Sequence, residues 1–149
     1  MIELVPASPA HVGVIANRMR EADVIECRAM GRSPKDALRL GIKTSAEAWT
    51  AKVDGRPEAM FGLVITSALG GTATPWMLGT DAIYRHPREM ICHGEKVLRR
   101  WLDSYPLLGN YVSVDNSRAI RLLRRWGCKI GWNVIMLGDT GFVSFTMER

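Results

Sequence analysis

Hydrophobic residues along the chain follow two different periods. Short runs that alternate apolar and polar residues are typical of strands, and apolar residues spaced three or four apart are typical of amphipathic helices. The strand-like runs are Ile2 to Val5, Trp49 to Val53, Met60 to Ile65, Pro75 to Leu78, Tyr111 to Val114, Lys129 to Leu137 and Gly141 to Met147. In most of the remaining segments the apolar residues have helical spacing. The order predicts an α+β fold with about seven strands in a single domain over residues 1 to 149.

Several helix starts and one hairpin are marked by specific residue pairs. Ser8-Pro9 and Ser33-Pro34 each place a side-chain acceptor before a helix and a proline at its first position. Pro87 indicates another start, and a further helical segment runs from Glu21 to Met30. Asp54-Gly55 between two strand-like runs predicts a tight β-hairpin.

Residues 110 to 131 contain the most informative local pattern. Tyr111 to Val114 predicts a strand, and Asn116 is placed to be the N-cap of the helix that follows. Apolar residues then recur at helical spacing as far as Trp126, with arginines between them, and Gly127 is suited to end the helix in a left-handed conformation. The segment predicts a β-α-β unit.

Composition narrows the class of protein. Apolar residues make up 47% of the chain and charged residues 23%, which is ordinary for a globular protein. No apolar run is long enough to span a bilayer, and the first residues lack the pattern of a secretory signal, so we expect no membrane contact. The three cysteines lack C-x-x-C spacing, which argues against disulfides and a metal site and favours a reducing cytoplasm.

The net charge of +5 is concentrated in one segment. Residues 85 to 126 contain nine Lys or Arg and four acidic residues, and the remainder is balanced. This excess could attract a phosphate-bearing cofactor or nucleic acid, or it could be a solvated helix face. No aromatic residues are interleaved with the arginines as in single-strand binding surfaces, so we do not expect a nucleic-acid partner.

The β-α-β unit resembles the end of the Gcn5-related N-acetyltransferase (GNAT) fold. That family has the pattern N-x-x-A-x-x-x-Y-x-x-x-G-F, and the chain has Asn116, Ala119, Leu123, Gly127 and Cys128 at these places. Leu123 stands where the family usually has a tyrosine that protonates the thiolate of coenzyme A, and Cys128 stands where it has phenylalanine. A generic β-α-β unit is the alternative interpretation. The order of helices and strands over the whole chain also matches the family.

The resemblance implies a mixed, twisted sheet that is splayed in the middle, with helices on both faces, and transfer of an acetyl group from acetyl-coenzyme A to an amine. The family's cofactor turn reads R/Q-x-x-G-x-G/A, but residues 82 to 89 here contain no glycine, and Pro87 removes one backbone donor. Side chains would then bind the phosphates. Arg85, His86 and Arg88 are the candidates, and Asn116 would lie near the pantetheine arm.

Two further residues are candidates for proton transfer. Asp81 would lie at the end of the fourth strand, near the acceptor amine, and Tyr84 could protonate the leaving thiolate in place of Leu123. Simpler roles are a turn residue for Asp81 and a surface position for His86. The resemblance also predicts that two strands diverge beside Asp81 and Tyr111, which leaves a V-shaped notch.

Residues 75 to 147 resemble a group of bacteriophage proteins more closely. The similar segments are Gly79-Thr80-Asp81, the glycine-free helix start, Tyr105-Pro106-Leu107 and Asn110-Tyr111-Val112. The group includes acetyltransferase-like prophage proteins and the small internal virion protein of T7-like phages. It implies an alternative: a catalytically inactive protein on the same fold that binds virion or host proteins, in the host cytoplasm or the virion. An active enzyme would instead meet a small molecule or protein that carries an amine.

Overall fold

The structure is a computed structural model that describes all residues from 1 to 149. The strands are β1 (Ile2–Pro6), β2 (Glu47–Val53), β3 (Arg56–Ser67), β4 (Thr72–Gly79), β5 (Leu107–Ser113), β6 (Lys129–Ile130), β7 (Ile135–Leu137) and β8 (Thr140–Glu148). The helices are α1 (Pro9–Ala16), α2 (Glu21–Ala29), α3 (Pro34–Thr44), α4 (Pro87–Ser104) and α5 (Ser117–Arg125). A 3-10 helix, Asp81–Arg85, precedes α4. None of the helices has the length and hydrophobicity needed to cross a membrane.

The strands form one mixed sheet in the order β1-β2-β3-β4-β5-β8-β6, with β7 also paired to β8. Every pair is antiparallel except β4 with β5. The β2–β3 hairpin turns at Asp54 and Gly55, whose φ angles of 51° and 86° are both positive. Positive φ at both central residues is the conformation that suits the right-handed twist of a hairpin. The predicted fold class and hairpin are therefore confirmed.

Helices cover both faces of the sheet, as predicted. On one face α1, α2 and α3 enclose a core that includes Ile15, Leu38 and Met60, all fully buried. On the other face α4 and the 3-10 helix pack against β1 to β4, and α5 packs against β5 and β8 around Val112. The helical layers hold the middle of the sheet between them.

Local signals for helix ends are also confirmed. The Ser8 hydroxyl accepts a hydrogen bond from the Ala10 N–H at 3.2 Å, and Ser33 accepts one from the Asp36 N–H at 3.1 Å. Gly127 follows α5 with a φ angle of 96°, a left-handed conformation that glycine adopts without steric cost.

Three local predictions need correction. The run from Lys129 to Leu137 is two short strands, because the backbone turns away after Gly131, whose N–H donates to the Ser144 carbonyl at 2.7 Å. The segment before α4 is a 3-10 helix, which the sequence pattern did not predict. Asn116 precedes α5 but makes no capping hydrogen bond, because its side-chain amide is engaged with Arg20 and Glu26.

The sheet splits between β4 and β5. These strands pair only at Thr72 with Leu107 and at Ala73 with Leu108, whereas β5 stays paired to β8 as far as Ser113. The split begins where Pro75 lacks the N–H that would continue the ladder. The side-chain amide of Asn110 donates to the Pro75 carbonyl at 2.9 Å in place of a backbone bond. The predicted V-shaped notch is present.

Candidate functional site

A cleft of about 700 Å³ occupies the split between β4 and β5. Residues of α2 and α3, such as Cys27 and Leu40, line it on one face of the sheet, and Ala119 and Leu122 of α5 line it on the other. The cleft therefore reaches both faces. Two molecules that approach from opposite faces could meet inside it.

The edge of β4 that faces the cleft is largely occupied. The Gly79 N–H donates to Asp23 Oδ2 at 2.9 Å, and the Gly79 carbonyl accepts from the Arg20 N–H at 2.9 Å. Pro75 has no N–H, and its carbonyl accepts from Asn110. Every second residue of a strand points its N–H and C=O to the same edge. Met77 is therefore the residue between Pro75 and Gly79 whose backbone groups remain available to a ligand.

A largely buried polar cluster of Arg20, Asp23, Glu26 and Asn116 lies beside the cleft, and all of these residues except Arg20 line it. Arg20 Nη1 donates to Asp23 Oδ1 at 2.8 Å, and Nη2 donates to Asn116 Oδ1 at 3.1 Å. The Arg20 guanidinium also lies over the Tyr84 ring, with Cζ 4.3 Å from its centroid. Arg20 Nε is buried without a hydrogen-bond partner, and Asp81 Oδ1 is 3.9 Å away. The cluster connects α2, the 3-10 helix and the start of α5.

Glu26 extends the cluster to β5. Its Oε2 accepts from the Ser113 N–H at 2.9 Å and from Asn116 Nδ2 at 3.0 Å. Burial raises the pKa of Glu26, and the two hydrogen bonds oppose that rise. Burial also raises the pKa of Asp23 to about 7, against the opposing effect of the Arg20 charge. The two carboxylates of α2 thus bind the free backbone N–H groups on both sides of the split.

The structure separates the predicted site residues into two groups. Tyr84 and Asn116 line the cleft, next to Arg20. Asp81, Arg85, His86 and Arg88 lie outside its lining, around the 3-10 helix and the first turn of α4. The Asp81 side chain is 64% exposed. Burial raises the pKa of Tyr84, so its hydroxyl keeps its proton throughout the neutral range.

Several cationic side chains lie around the start of α4, whose first turn also carries Glu89. Arg85 and Arg88 are exposed beside it, and His86 precedes the helix without a side-chain cap. Arg118, in the first turn of α5, points toward the same region, with Cζ 5.8 Å from the centroid of the Tyr84 ring. The N-terminal N–H groups of a helix and nearby guanidinium groups both favour phosphate oxygens. This corner is the most suitable place for an anion beside the cleft.

Comparison with known proteins gives a fold. No protein-family model matches the chain, and no curated protein matches it in sequence. A GNAT-family acetyltransferase from Bacillus anthracis superposes with a TM-score of 0.73 at 7% identity, covering 99% of this chain and 94% of that one. The chain has the GNAT fold. Each neighbour is far below the identity at which a shared fold would imply a shared activity.

Two GNAT-fold neighbours were solved with coenzyme A. The aminoglycoside acetyltransferase AAC(6')-Ib, with ribostamycin and coenzyme A, has a TM-score of 0.68 at 12% identity and covers 99% of this chain and 93% of its own. RimL, a ribosomal L7/L12 α-N-protein acetyltransferase with coenzyme A, has a TM-score of 0.69 at 10% identity, with coverage of 99% and 93%.

The residues around the cleft fit coenzyme A in three respects. The cleft has room for a slender arm, Met77 offers a backbone donor and acceptor to its amides, and the arginines beside α4 suit its phosphates. The absence of glycine between residues 82 and 89 means that phosphate binding would depend on side chains. The chain therefore could hold the cofactor with fewer backbone contacts than a glycine-rich turn provides.

The sequence analysis missed Arg20, Asp23, Glu26 and Arg118. The available signal was in α2, where the acidic residues Asp23 and Glu26 are three positions apart, on the side of the helix that also carries Cys27. A charged residue at a core-facing helical position is rarely left unpaired. That position alone does not reveal the partner.

Proposed function

We propose that the protein is an acetyl-coenzyme A-dependent N-acetyltransferase that acts on an amine-bearing small molecule or protein. The observation that carries the proposal is the cleft of about 700 Å³ in the split between β4 and β5. Amine acceptors are in keeping with the neighbours that have this fold, an aminoglycoside acetyltransferase and a protein α-N-acetyltransferase.

In this proposal the arginine-rich corner binds the phosphates of the cofactor. Arg85, His86 and Arg88 provide donors next to the first turn of α4, and Arg118 approaches from α5. Asn116 binds the pantetheine arm with the second hydrogen of Nδ2, since Nδ2 carries two hydrogens and one is donated to Glu26. These donors supply the contacts that a glycine-rich turn would otherwise make.

Acetyl-coenzyme A, when bound, would supply an acyl thioester, and the residues of this chain would transfer the protons around it. An acceptor that arrives as an ammonium releases one proton for each amide formed. Asp81, exposed at the first position of the 3-10 helix and outside the lining of the cleft, would pass that proton to solvent. Tyr84 stays protonated at neutral pH and therefore can donate a hydrogen bond to the departing sulfur.

Calorimetric titration with acetyl-coenzyme A tests the proposal. The wild type is expected to bind, and Arg85→Ala combined with Arg88→Ala should weaken binding about tenfold or more, because both lost groups are charge-assisted donors. Arg39→Ala, at an exposed position of α3, is the control and should bind normally. If the wild type gives no heat of binding and no thermal shift at millimolar acetyl-coenzyme A, the proposal is wrong.

The second candidate is a catalytically inactive phage protein that binds virion or host proteins. One observation favours the absence of activity in this candidate: Asp23 and Glu26 already bind Gly79 of β4 and Ser113 of β5, so the edges of the split are hydrogen-bonded within the protein. Turnover of any amine with acetyl-coenzyme A, or coenzyme A that copurifies with the protein, would exclude this candidate.

A further inference from the structure

We propose that Glu26 binds the positively charged amino group of the acceptor inside the cleft. The proposal rests on the acetyltransferase function above and goes beyond it by naming a substrate class. That class is primary alkylammonium compounds with an apolar body. The inference comes from the charge balance of the polar cluster, from the free oxygen of Glu26 and from the lining of the cleft.

The polar cluster contains two carboxylates, Asp23 and Glu26, and one cation, Arg20. Arg20 and Asp23 form an ion pair at 2.8 Å in which both side chains are 6% exposed, and the Arg20 charge also lowers the pKa of Glu26. Glu26 has no cation within ion-pairing distance, and both of its donors, Ser113 N–H and Asn116 Nδ2, are neutral. When Asp23 and Glu26 are both ionised, the two carboxylates outnumber the single Arg20 charge, and the cluster has a net charge of −1 beside the cleft.

One oxygen of Glu26 is available to a ligand. Both hydrogen bonds end on Oε2, and Oε1 accepts none within the protein. Arg20 Nε is the one fully buried side-chain polar atom without a hydrogen-bond partner. Oε1 also lacks a partner, so it is not fully buried and is in contact with open space. Glu26 lines the cleft, and we place Oε1 at the surface of that cleft. A largely buried carboxylate without an ion-pair partner favours a hydrogen-bonding cation as its ligand.

The rest of the cleft favours an apolar body on that cation. Hydrophobic residues form 19 of the 28 that line it. On the α2 side they include Met30, Leu40, Trp76 and Tyr111. Arg32 also lines the cleft, and its charge would repel a second ammonium group. A monoamine with a hydrophobic body therefore fits better than a polyamine.

A titration with phenethylammonium and its neutral analogue 2-phenylethanol tests the inference directly. The backbone N–H of Ser113, which donates to Glu26, reports binding as a chemical-shift change in a ¹H–¹⁵N spectrum. The wild type should bind phenethylammonium at least tenfold more tightly than 2-phenylethanol. Glu26→Gln keeps an acceptor for Ser113 and loses the charge, so its affinity for phenethylammonium should fall about tenfold to a hundredfold.

Glu21→Gln is the matched control, since Glu21 is exposed at the start of the same helix and should leave affinity unchanged. Equal affinity of wild type and Glu26→Gln, or equal affinity of the wild type for the two probes, would overturn the inference.

If Glu26→Gln does not fold, the wild type is titrated with phenethylammonium at falling pH while the NMR signal of the Glu26 side-chain carboxyl carbon is followed. Binding of phenethylammonium must then weaken as Glu26 takes up a proton, and binding that is unaffected would refute the proposal.

The other charged and titratable groups around Glu26 are Arg20, Asp23, Cys27, Arg32 and Tyr84. Following the Glu26 resonance separates its protonation from theirs.

Calorimetry with acetyl-coenzyme A on the same samples distinguishes a failure of this inference from a failure of the proposed acetyltransferase function. Binding of phenethylammonium at Glu26 without any binding of acetyl-coenzyme A would refute the acetyltransferase function, and the reverse result would refute only the role of Glu26.

Discussion

Asp23 Oδ2 accepts a hydrogen bond from the backbone N–H of Gly79 at 2.9 Å, which connects α2 to the last residue of β4. The strand has lost its neighbour β5 at this point, so the N–H would otherwise be buried without a partner. The carboxylate of a helix thus replaces the missing strand. Because the Asp23 carboxyl is buried, its protonation makes the free energy of unfolding depend on pH.

Asp23 should make the protein less stable as pH rises. Its pKa is raised from 3.8 to about 7 by burial, so the folded state holds a proton that the unfolded state releases between these values. Stability from this group is complete below pH 3.8 and is lost as pH approaches 7. Asp23→Asn should remove a slope of up to about 1 kcal/mol per pH unit in the free energy of unfolding. Urea denaturation between pH 4 and 8 measures it, and identical slopes in both proteins would contradict the assignment.

Arg18→Met should destabilise the fold strongly. Arg18 Nη2 lies 2.6 Å from Glu58 Oε1, and Glu58 is 5% exposed, so the substitution leaves a buried carboxylate without its cation. We expect a loss of about 3 kcal/mol in the free energy of unfolding. Arg39→Met breaks an exposed pair with Asp36 and should change stability by less than about 0.5 kcal/mol. Chemical denaturation compares the two, and equal effects would show that Glu58 is not stabilised by Arg18.

Gly94→Ala should separate α4 from Trp126. A Cβ at Gly94 would overlap the Trp126 ring, whose Nε1 donates to the Ile91 carbonyl at 3.1 Å. A rigid indole held by that bond cannot move freely, so we expect a cost of about 1 to 3 kcal/mol. Gly13→Ala in α1 meets no atom within 4 Å and should stabilise the protein by up to about 1 kcal/mol. A thermal melt in which both variants shift in the same direction would refute this packing.

Arg118→Ala should weaken binding of acetyl-coenzyme A if the cofactor phosphates lie at the start of α4. We expect a loss of about threefold to tenfold that shrinks at high salt, because an exposed phosphate contact is screened. Arg121→Ala removes an exposed charge from the same helix, one turn further from the start. Calorimetry at two salt concentrations distinguishes a specific contact from general attraction. Equal losses in both variants would indicate general attraction alone.

The backbone of this protein follows largely from local sequence. Asp54-Gly55 specifies its hairpin because both residues tolerate positive φ, and Ser8 and Ser33 specify helix starts because their hydroxyls reach nearby N–H groups. Pro75 contributes to the split by lacking one donor. Such features depend on residues a few positions apart, and a pattern along the chain can report them. The break between β6 and β7 was missed because it depends on a contact with β8.

The polar cluster was decided only by the tertiary structure. Asn116 matched a family pattern and a capping preference, yet its amide bonds Arg20 and Glu26, which are 96 and 90 residues away in sequence. Glu26 and Ser113 are 87 residues apart. Partners at such distances meet only when α2 packs across the split sheet, and a single sequence carries no local pattern for that contact. The sequence by itself determined the strands, helices and turns, and packing determined which charged side chains form ion pairs.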